Sequence, residues 1–409
     1  MKWMIVLCSV LFSTSAFAQE LTLTQTLEKL EESNEEWEAV EVRIERSRAL
    51  RRQALSSLLP QLSVGASTTY NGNEVEFGGR VVRRRIDWGA GGTGRLTLFD
   101  ASQYPLVSAA KKRIEVTEAQ GAWTRRSLRY EVEATFYELA AAQRDVEISQ
   151  QTIALRKAYV ERAEALEGAG VALPLDVARA RAQLFEAEQL LLEAGARLGN
   201  TADALAVLIG LDPAGSVRAA ARDEPPAPPQ KGGAAGERLD LEARRLEIEA
   251  LDSVETSRWW SLAPTFAVQG NVNAGPPSFT SPDVVTWSVT LSAAWLLYDG
   301  GARYARIDVA NADLREASLL LSRAEREAQA ELKAALRNWR AAFEAVAVAV
   351  QQVEVAQQAY DMTAARFDSG LATSIEVVEA SDTLFRAQSG LSSARLSADI
   401  AAARWRYLQ

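Results

Sequence analysis

Two stretches of about 70 residues constrain the fold of this chain more than any other feature. Residues 100–166 and 299–368 contain a single proline, Pro105, and consist largely of Ala, Leu, Glu, Arg and Gln, which favour helices. At 1.5 Å per residue, each stretch predicts one helix on the order of 100 Å long. A helix of that length has no compact core of its own, so it needs neighbouring helices along its side.

Both stretches carry apolar residues at heptad spacing, which is typical of coiled coils. In the second stretch the seam runs through Leu332, Leu336, Trp339, Phe343, Val346, Val350 and Val353. In the first it runs through Val132, Phe136, Leu139, Gln143, Val146, Gln150 and Ile153. Because two glutamines interrupt the first seam, we expect the two long helices to face different partners.

The long stretches belong to two copies of one unit. "EGAGVALPLDVARARAQLF" matches "FDSGLATSIEVVEASDTLF", so that Gly170 falls on Gly370, and "RLTLFD" and "WLLYDGG" precede the two long helices. Several matches in one order predict a tandem duplication. We place a first repeat at residues 19–221, a second at 237–409, and between them a joint rich in Pro and Gly at 222–236.

Each repeat also contains two segments in which apolar and polar residues alternate, as they do in strands with one apolar face. The clearest example alternates Val285, Trp287, Val289, Leu291, Ala293, Trp295 and Leu297 with polar residues. Turn-forming residues separate the segments of each repeat. We therefore predict β-hairpins at about 60–99 and about 263–298.

The remaining elements are helices. Asp100 and Asp299 open the long helices and are suited to be their N-caps, because a carboxylate accepts hydrogen bonds from the first free amides. Each long helix ends at a turn that contains glycine, and a second helix follows at 174–208 or 374–408. Shorter helices, at about 22–57 and 237–258, precede the two hairpins.

The strands allow two interpretations, two hairpins of a soluble sandwich or a membrane barrel. Strands of about 10–14 residues match a tilted membrane crossing, and the polar faces of Ser, Thr, Asn and Gln suit a wet lumen. Aromatic residues lie on or near the strands and are candidates for the membrane interface. We assign this role to Tyr70, Trp88, Phe99, Trp287, Trp295 and Tyr298.

Four strands are too few to close a membrane barrel, which needs about eight. Since an open sheet edge in lipid leaves backbone groups without hydrogen bonds, several chains must pool their strands. Three chains give 12 strands. The predicted fold class is therefore an α+β membrane protein, with a long helical coiled-coil barrel and a transmembrane β-barrel shared between protomers.

Composition narrows the function. The chain has no His, its single cysteine is Cys8, and its formal net charge is −9. These features remove the commonest general base, metal ligand and thiol nucleophile, and the acidic charge argues against a nucleic-acid partner. We predict no enzyme activity, no metal and no cofactor.

Residues 1–18 have the pattern of a secretory signal peptide. Lys2 supplies a charge, an apolar stretch follows, and Ala16-Phe17-Ala18 is a small-residue cleavage site. Cys8 lies inside the apolar stretch, which is the wrong place for a lipid-modified cysteine. The sequence therefore predicts export.

The chain resembles the TolC-type outer membrane efflux proteins over its whole mature length. The resemblance rests on "LTLTQTLEKLEESNEEWEA", "LPQLSVGAS", "LTLFDASQ", "WLLYDGG", "SGLATSIEVVEA" and "ADALAVLIGLDP", in that family's order. It implies a homotrimer in the outer membrane that extends into the periplasm, with a belt around the joint. It also implies that a periplasmic adaptor (membrane fusion) protein docks the trimer to an inner-membrane transporter.

The family's periplasmic entrance is narrowed by acidic residues at its helical turns. By motif position the resemblance implies a gate at Glu376, Glu379, Asp368 and Asp176. Some relatives also have Tyr and Arg near this turn as a polar lock. Here the corresponding positions are Phe367 and Ala372, so that particular lock is in doubt.

The two turns are small and apolar, which suits contact with an adaptor hairpin. The docking residues would be Gly170, Val171, Ala172, Gly370, Leu371 and Ala372. Two alternatives to an exit duct are a periplasmic coiled-coil scaffold or adaptor without a membrane barrel, and an exported hydrolase. The absence of His and of a nucleophile motif argues against the hydrolase.

Overall fold

The two halves of the chain follow the same order of elements. The computed structural model describes residues 19–78, 80–212, 217–220, 224–229, 238–276 and 284–409. The predicted signal peptide and most of the joint at 222–236 lie outside these residues. None of the helices formed by the described residues is long and apolar enough to cross a membrane.

In the first half, β1 (Gln19–Leu21), α1 (Leu23–Ser33) and α2 (Glu35–Ser56) precede the strands. The strands are β2 (Gln61–Tyr70), β3 (Val75–Phe77), β4 (Arg80–Arg83) and β5 (Ile86–Phe99). The helices α3 (Gln103–Gly168) and α4 (Pro174–Leu208) follow. In the second half, the elements are β6 (Val217–Ala219), α5 (Leu239–Trp260), β7 (Thr265–Ala274), β8 (Val285–Ala294), α6 (Ala302–Asp368) and α7 (Ser374–Leu408).

The chain divides into two compact units. The first comprises the described residues of Met1–Ala39, Thr124–Gly236 and Glu327–Gln409, and the second those of Val40–Trp123 and Glu237–Arg326. The long helices α3 and α6 contain 66 and 67 residues and each contributes to both units. At 1.5 Å per residue, each is about 100 Å long.

The second unit contains a four-stranded antiparallel sheet in the order β2-β5-β7-β8, so the hairpins of the two halves are joined through β5 and β7. The register aligns the apolar residues of all four strands on one face. Val64 pairs with Gly92, Gly92 with Val272, and Val272 with Trp287. The next row, on the other face, contains Gly65, Gly91, Asn273 and Thr286.

Both edge strands, β2 and β8, are exposed along their whole length. The side chain of Val64 is 91% exposed and that of Trp287 is 75% exposed. Apolar side chains at this exposure need cover, because each buried apolar Å² contributes about 25 cal/mol. The sheet therefore has an apolar face and two edges that no other described part of the chain covers.

The last strand is shorter than the alternation predicts. β8 ends at Ala294, whose partner Thr265 is the first residue of β7, so no neighbouring strand continues beyond it. The next residues are held by side chains instead. Trp295 Nε1 donates to the carbonyl of Leu262 at 3.0 Å, and Arg303 donates to the carbonyl of Leu296.

The first unit has its largest core where α1, α3, α4 and the two-stranded sheet of β1 and β6 meet. The core contains Leu30, Val132, Leu139, Leu205 and Ile209, all fully buried. Val132 and Leu139 belong to the heptad seam predicted from the sequence.

Gln143, which interrupts that seam, has a structural role in the first unit. Its side-chain amide donates to the carbonyl of Ala219 at 3.3 Å and accepts from the Ala219 N–H at 2.8 Å. Ala219 lies in β6, which pairs with β1 in parallel. The glutamine therefore satisfies the free edge of a short strand, as a buried backbone requires.

Candidate functional site

The two helical turns at the ends of α3 and α6 have the same backbone geometry. We call residues 169–173 the first tip and residues 369–373 the second tip. Gly170 and Gly370 have φ of +74° and +73°, a conformation that glycine adopts without strain. In both tips the next N–H donates to a carbonyl five residues back, from Val171 to Leu166 and from Leu371 to Arg366. This is the Schellman arrangement, which satisfies the last carbonyls of a helix.

The helices that follow the tips are capped differently. Before α7, the Thr373 N–H donates to Glu376 Oε2 at 2.5 Å, and the Glu376 N–H donates to Thr373 Oγ1 at 3.4 Å. Before α4, the Leu173 N–H donates to Asp176 Oδ2 at 3.2 Å, and because the leucine side chain has no acceptor, the Asp176 N–H donates to the Leu173 backbone carbonyl at 2.9 Å instead. The hydrogen bonds from Thr373, chiefly from its backbone, lower the pKa of the Glu376 carboxyl.

Both tips line one groove of about 590 Å³. Its walls include Val171 and Ala172 of the first tip and Gly370 and Ala372 of the second. Val171 and Leu371 are each 70% exposed. All six residues predicted to form docking tips therefore lie in two adjacent, mainly apolar turns.

Three side chains of α3 connect the first half to the second. The guanidinium of Arg156, only 5% exposed, donates to the carbonyl of Gln183 at 2.6 Å and to Asp382 Oδ1 at 2.5 Å. A second bond from Arg156 reaches the side-chain carbonyl of Gln183 at 2.7 Å. Arg156 thereby holds α3, α4 and α7 together.

Tyr159 and Arg162 make the other two connections. The Tyr159 hydroxyl donates to Ser374 Oγ at 2.6 Å, and its ring lies 5.4 Å from that of Phe367. Burial raises the pKa of Tyr159, so the hydroxyl keeps its proton at neutral pH. Arg162 Nε forms an ion pair with Asp368 Oδ1 at 2.8 Å.

The four predicted gate residues all lie at or beside the tips, and their carboxylates differ in their contacts. Asp368 forms an ion pair with Arg162, Glu376 accepts a hydrogen bond from the Thr373 N–H, and Asp176 accepts one from the Leu173 N–H. Glu379 is exposed, and its carboxylate has no hydrogen bond or ion pair with any residue that the structure describes. Glu379 is thus the carboxylate most available to an ion.

The connections made by Arg156, Tyr159 and Arg162 are not predicted by the sequence motifs. The resemblance points to Phe367 and Ala372 as the lock positions, whereas in the structure a hydroxyl and two guanidinium groups come from α3. Arg156 and Asp382 are 226 residues apart, so no local pattern signals their pairing.

The two aspartates predicted as N-caps are not at the N-cap positions, because each lies in the turn that precedes the first residue of its helix. α3 begins at Gln103, and Asp100 Oδ1 accepts from the Ser102 N–H at 3.0 Å. α6 begins at Ala302, and Asp299 Oδ1 accepts from the Arg303 N–H at 3.4 Å. Gly300 and Gly301, with φ of +70° and +89°, form the intervening turn and displace Asp299 from the helix start.

The six predicted interface aromatics are all exposed. Tyr70 and Trp88 lie at the end of the sheet farthest from α3 and α6, and Trp287 lies near the start of β8. Phe99, Trp295 and Tyr298 lie at the other end, where the strands give way to helices. Exposed aromatics thus occur towards both ends of the apolar face.

Two hairpins that join into one sheet, each followed by a long helix, are the arrangement of the outer membrane efflux proteins. The model of the outer membrane efflux protein family matches residues 26–211 and 233–408. The chain belongs to that family. No curated protein sequence matches it.

Solved structures of outer membrane channels share this fold. CusC is 14% identical, with 96% of this chain and 93% of that chain covered and a TM-score of 0.84. The CmeC outer membrane channel of Campylobacter jejuni is 16% identical, with 94% and 85% covered and a TM-score of 0.84. The outer membrane protein VceC of Vibrio cholerae is 19% identical, with 94% and 95% covered and a TM-score of 0.79.

Proposed function

We propose that this protein is the outer membrane exit duct of a tripartite efflux or type I secretion machine. It would conduct substrates passively from a helical tunnel in the periplasm, through a β-barrel, to the exterior. The observation that carries the proposal is the four-stranded sheet, whose aligned apolar face is exposed and whose edge strands have no outer partner among the residues that the structure describes. Family membership and the shared fold support it.

The assembly is proposed to be a homotrimer. Three copies of the sheet supply 12 strands, enough to close a barrel with its apolar face towards lipid and its Ser, Thr and Asn face towards water. Each copy would also contribute its long helices to a tube. Exposed aromatics such as Tyr70 and Tyr298 would lie at the two membrane interfaces.

The tips are proposed as the docking site of a periplasmic adaptor protein, which in turn binds an inner-membrane transporter. The exposed Val171 and Leu371 beside the groove offer apolar surface of the kind that a helical hairpin covers. Substrate choice would then belong largely to the transporter, since a water-filled duct has few groups for recognition.

The closed state is proposed to depend on the three links from α3. Arg156, Tyr159 and Arg162 hold the helices of the second tip against the first half, so docking would have to break these contacts before the second tip can move. In a trimer, Glu379 would form a ring of three carboxylates at the entrance, with Glu376, Asp368 and Asp176 near it. Such a ring attracts cations and resists closer approach.

Membrane fractionation with heat-modifiable gel mobility tests the duct proposal, followed by conductance in a planar bilayer. The expected result is an outer membrane oligomer that dissociates on boiling and forms discrete conducting channels. A soluble periplasmic monomer would refute the duct and favour the scaffold or adaptor alternative. Co-purification would identify the adaptor and the transporter.

A further inference from the structure

The first unit has exposed apolar side chains on two particular helices. Apart from the tips and Ile375 beside the second tip, its described residues expose large apolar side chains only on α4 and α6. They are Leu175, Phe185, Leu192, Val207, Val348, Val350, Val355 and Met362. Phe185 is 66% and Leu192 75% exposed, which is unfavourable for a helix facing water on that side.

On α4 these side chains belong to a heptad seam, which we call the α4 seam. Its members are Leu175, Ala178, Ala182, Phe185, Gln189, Leu192, Ala196 and Gly199, and all are exposed. The other side of the helix is already buried within the chain, through Val177, Ala180 and Ala187. The helix therefore has one seam that packs within its own chain and a second that none of the described residues covers.

α6 has the same arrangement. The α6 seam consists of Ala341, Ala345, Val348, Gln352, Val355, Ala359 and Met362, of which Ala359 is half-buried and the others exposed. The buried side of this stretch includes Ala349, Ala356 and Phe367. Heptad spacing on two sides of one helix is expected for a helix in the wall of a tube, which has a neighbour on each side.

The two seams match each other when the helices are antiparallel and measured from the tips. Phe185 lies 11 residues after the start of α4 at Pro174, and Val355 lies 13 residues before the end of α6 at Asp368. Gln189 and Gln352 lie 15 and 16 residues from those same ends. A difference of one or two residues is at most about 3 Å along a helix. Phe185 therefore meets Val355, Leu192 meets Val348, and the two glutamines share a layer between them.

We propose that the α4 seam of one copy packs against the α6 seam of a second copy, with Gln189 and Gln352 setting the register. The inference deepens the proposed duct and rests on its ring assembly. The contact joins different faces of identical chains, which is the kind of interface that closes rings. A polar layer within an apolar seam fixes the register, because any shift would bury an amide against an apolar side chain.

Cysteine cross-linking tests this interface. Cys8 is the single cysteine of the sequence, so a Cys8→Ser background gives a clean starting point. Phe185→Cys combined with Val355→Cys should form disulfides between chains on mild oxidation, and non-reducing gels should show linked dimers and trimers. The matched control, Phe185→Cys with Val348→Cys, should give less than about a tenth as much product, because one heptad moves the sulfurs about 10 Å apart.

Three results would overturn the proposal. They are no interchain product from the Phe185/Val355 pair in an oligomer of native mass, equal product from the control pair, or a disulfide formed only within one chain. Because cross-linking reports assembly alone, an oligomer that is linked as expected but does not conduct would count against the duct and not against the interface.

The glutamine layer has its own test. Gln189→Leu alone should lower the temperature at which the oligomer dissociates, since Gln352 would then face a leucine. Gln189→Leu with Gln352→Leu should restore or raise that temperature and permit cross-linking of the shifted Phe185/Val348 cysteine pair. Identical dissociation temperatures for the single and double variants would contradict a shared layer.

Discussion

Replacing Arg156 by alanine should shift the duct towards its open state. The guanidinium makes three hydrogen bonds of 2.5 to 2.7 Å, two to Gln183 and one to Asp382. Its side chain is 6% exposed, and that of Asp382 is 33% exposed. A hydrogen bond to a charged group contributes about 1.5–3 kcal/mol, and losing one partner of a buried pair costs about 3–5 kcal/mol.

The expected effect is smaller than the sum of these terms. Water can hydrate Asp382 once Arg156 is gone, and partial exposure weakens an ion pair. We expect the closed state to lose about 2–4 kcal/mol, which is about 30-fold to 700-fold in the closed-to-open ratio. Asp382→Asn should have a smaller effect, because the amide oxygen still accepts a hydrogen bond.

The measurement is the open probability of single channels in planar bilayers. The mass of the intact oligomer shows whether each variant assembles. Arg181→Ala is the matched control. Arg181 pairs with Glu164 at 2.7 Å nearby, but the two side chains are 58% and 43% exposed, so this pair contributes at most about 1 kcal/mol. If Arg156→Ala assembles normally and opens no more often than Arg181→Ala, the link does not hold the gate closed.

Three further predictions concern the second tip and the sheet. Glu379→Ala should raise conductance and weaken block by multivalent cations more than Glu376→Ala, whose carboxylate already accepts from Thr373; equal effects in single-channel recordings would count against Glu379. Because its hydrogen bonds lower the pKa of Glu376, the cap stabilises the tip above the unfolded carboxyl pKa of about 4.3 and is lost as the pH falls through the lower folded pKa. The measurement is hydrogen exchange of the backbone amides at the second tip, corrected for the intrinsic exchange rate at each pH. Protection should therefore fall in acid for the native chain and stay constant for Glu376→Gln. The same loss of protection in both proteins would contradict the assignment. Val289→Arg on the apolar face should reduce the amount of outer membrane oligomer, because an arginine facing lipid near the bilayer centre costs about 2–4 kcal/mol per chain. Thr290→Arg on the polar face should be tolerated. Equal loss of both variants from fractionated membranes would argue against lipid on the apolar side.

Predictions from the sequence succeeded where the relevant physics is local. The glycines at 170 and 370 stand where a helix must end in a left-handed turn, and both adopt positive φ. The long helices follow from an almost proline-free composition rich in helix formers, and the structure places them within three residues of the expected starts. The strand that was predicted to run to Leu297 ends at Ala294, because strand length depends on a neighbour that lies elsewhere in the chain.

The sequence by itself determined which segments form the long helices and the four long strands, and which side of each of those strands is apolar, because these depend on spacing within a few residues. It did not predict the short strands β1, β3, β4 and β6, or the break that divides the helix expected at 22–57 into α1 and α2. Only the tertiary structure decided that β5 pairs with β7, that Gln143 closes the edge at Ala219, and that Arg156 reaches Asp382. These contacts join residues 76 to 226 positions apart, and many sequence-distant partners would satisfy the same local pattern. The candidate gate shows the difference: the positions of its acidic residues could be located from motifs, but only the folded chain distinguishes the paired Asp368 and Glu376 from Glu379.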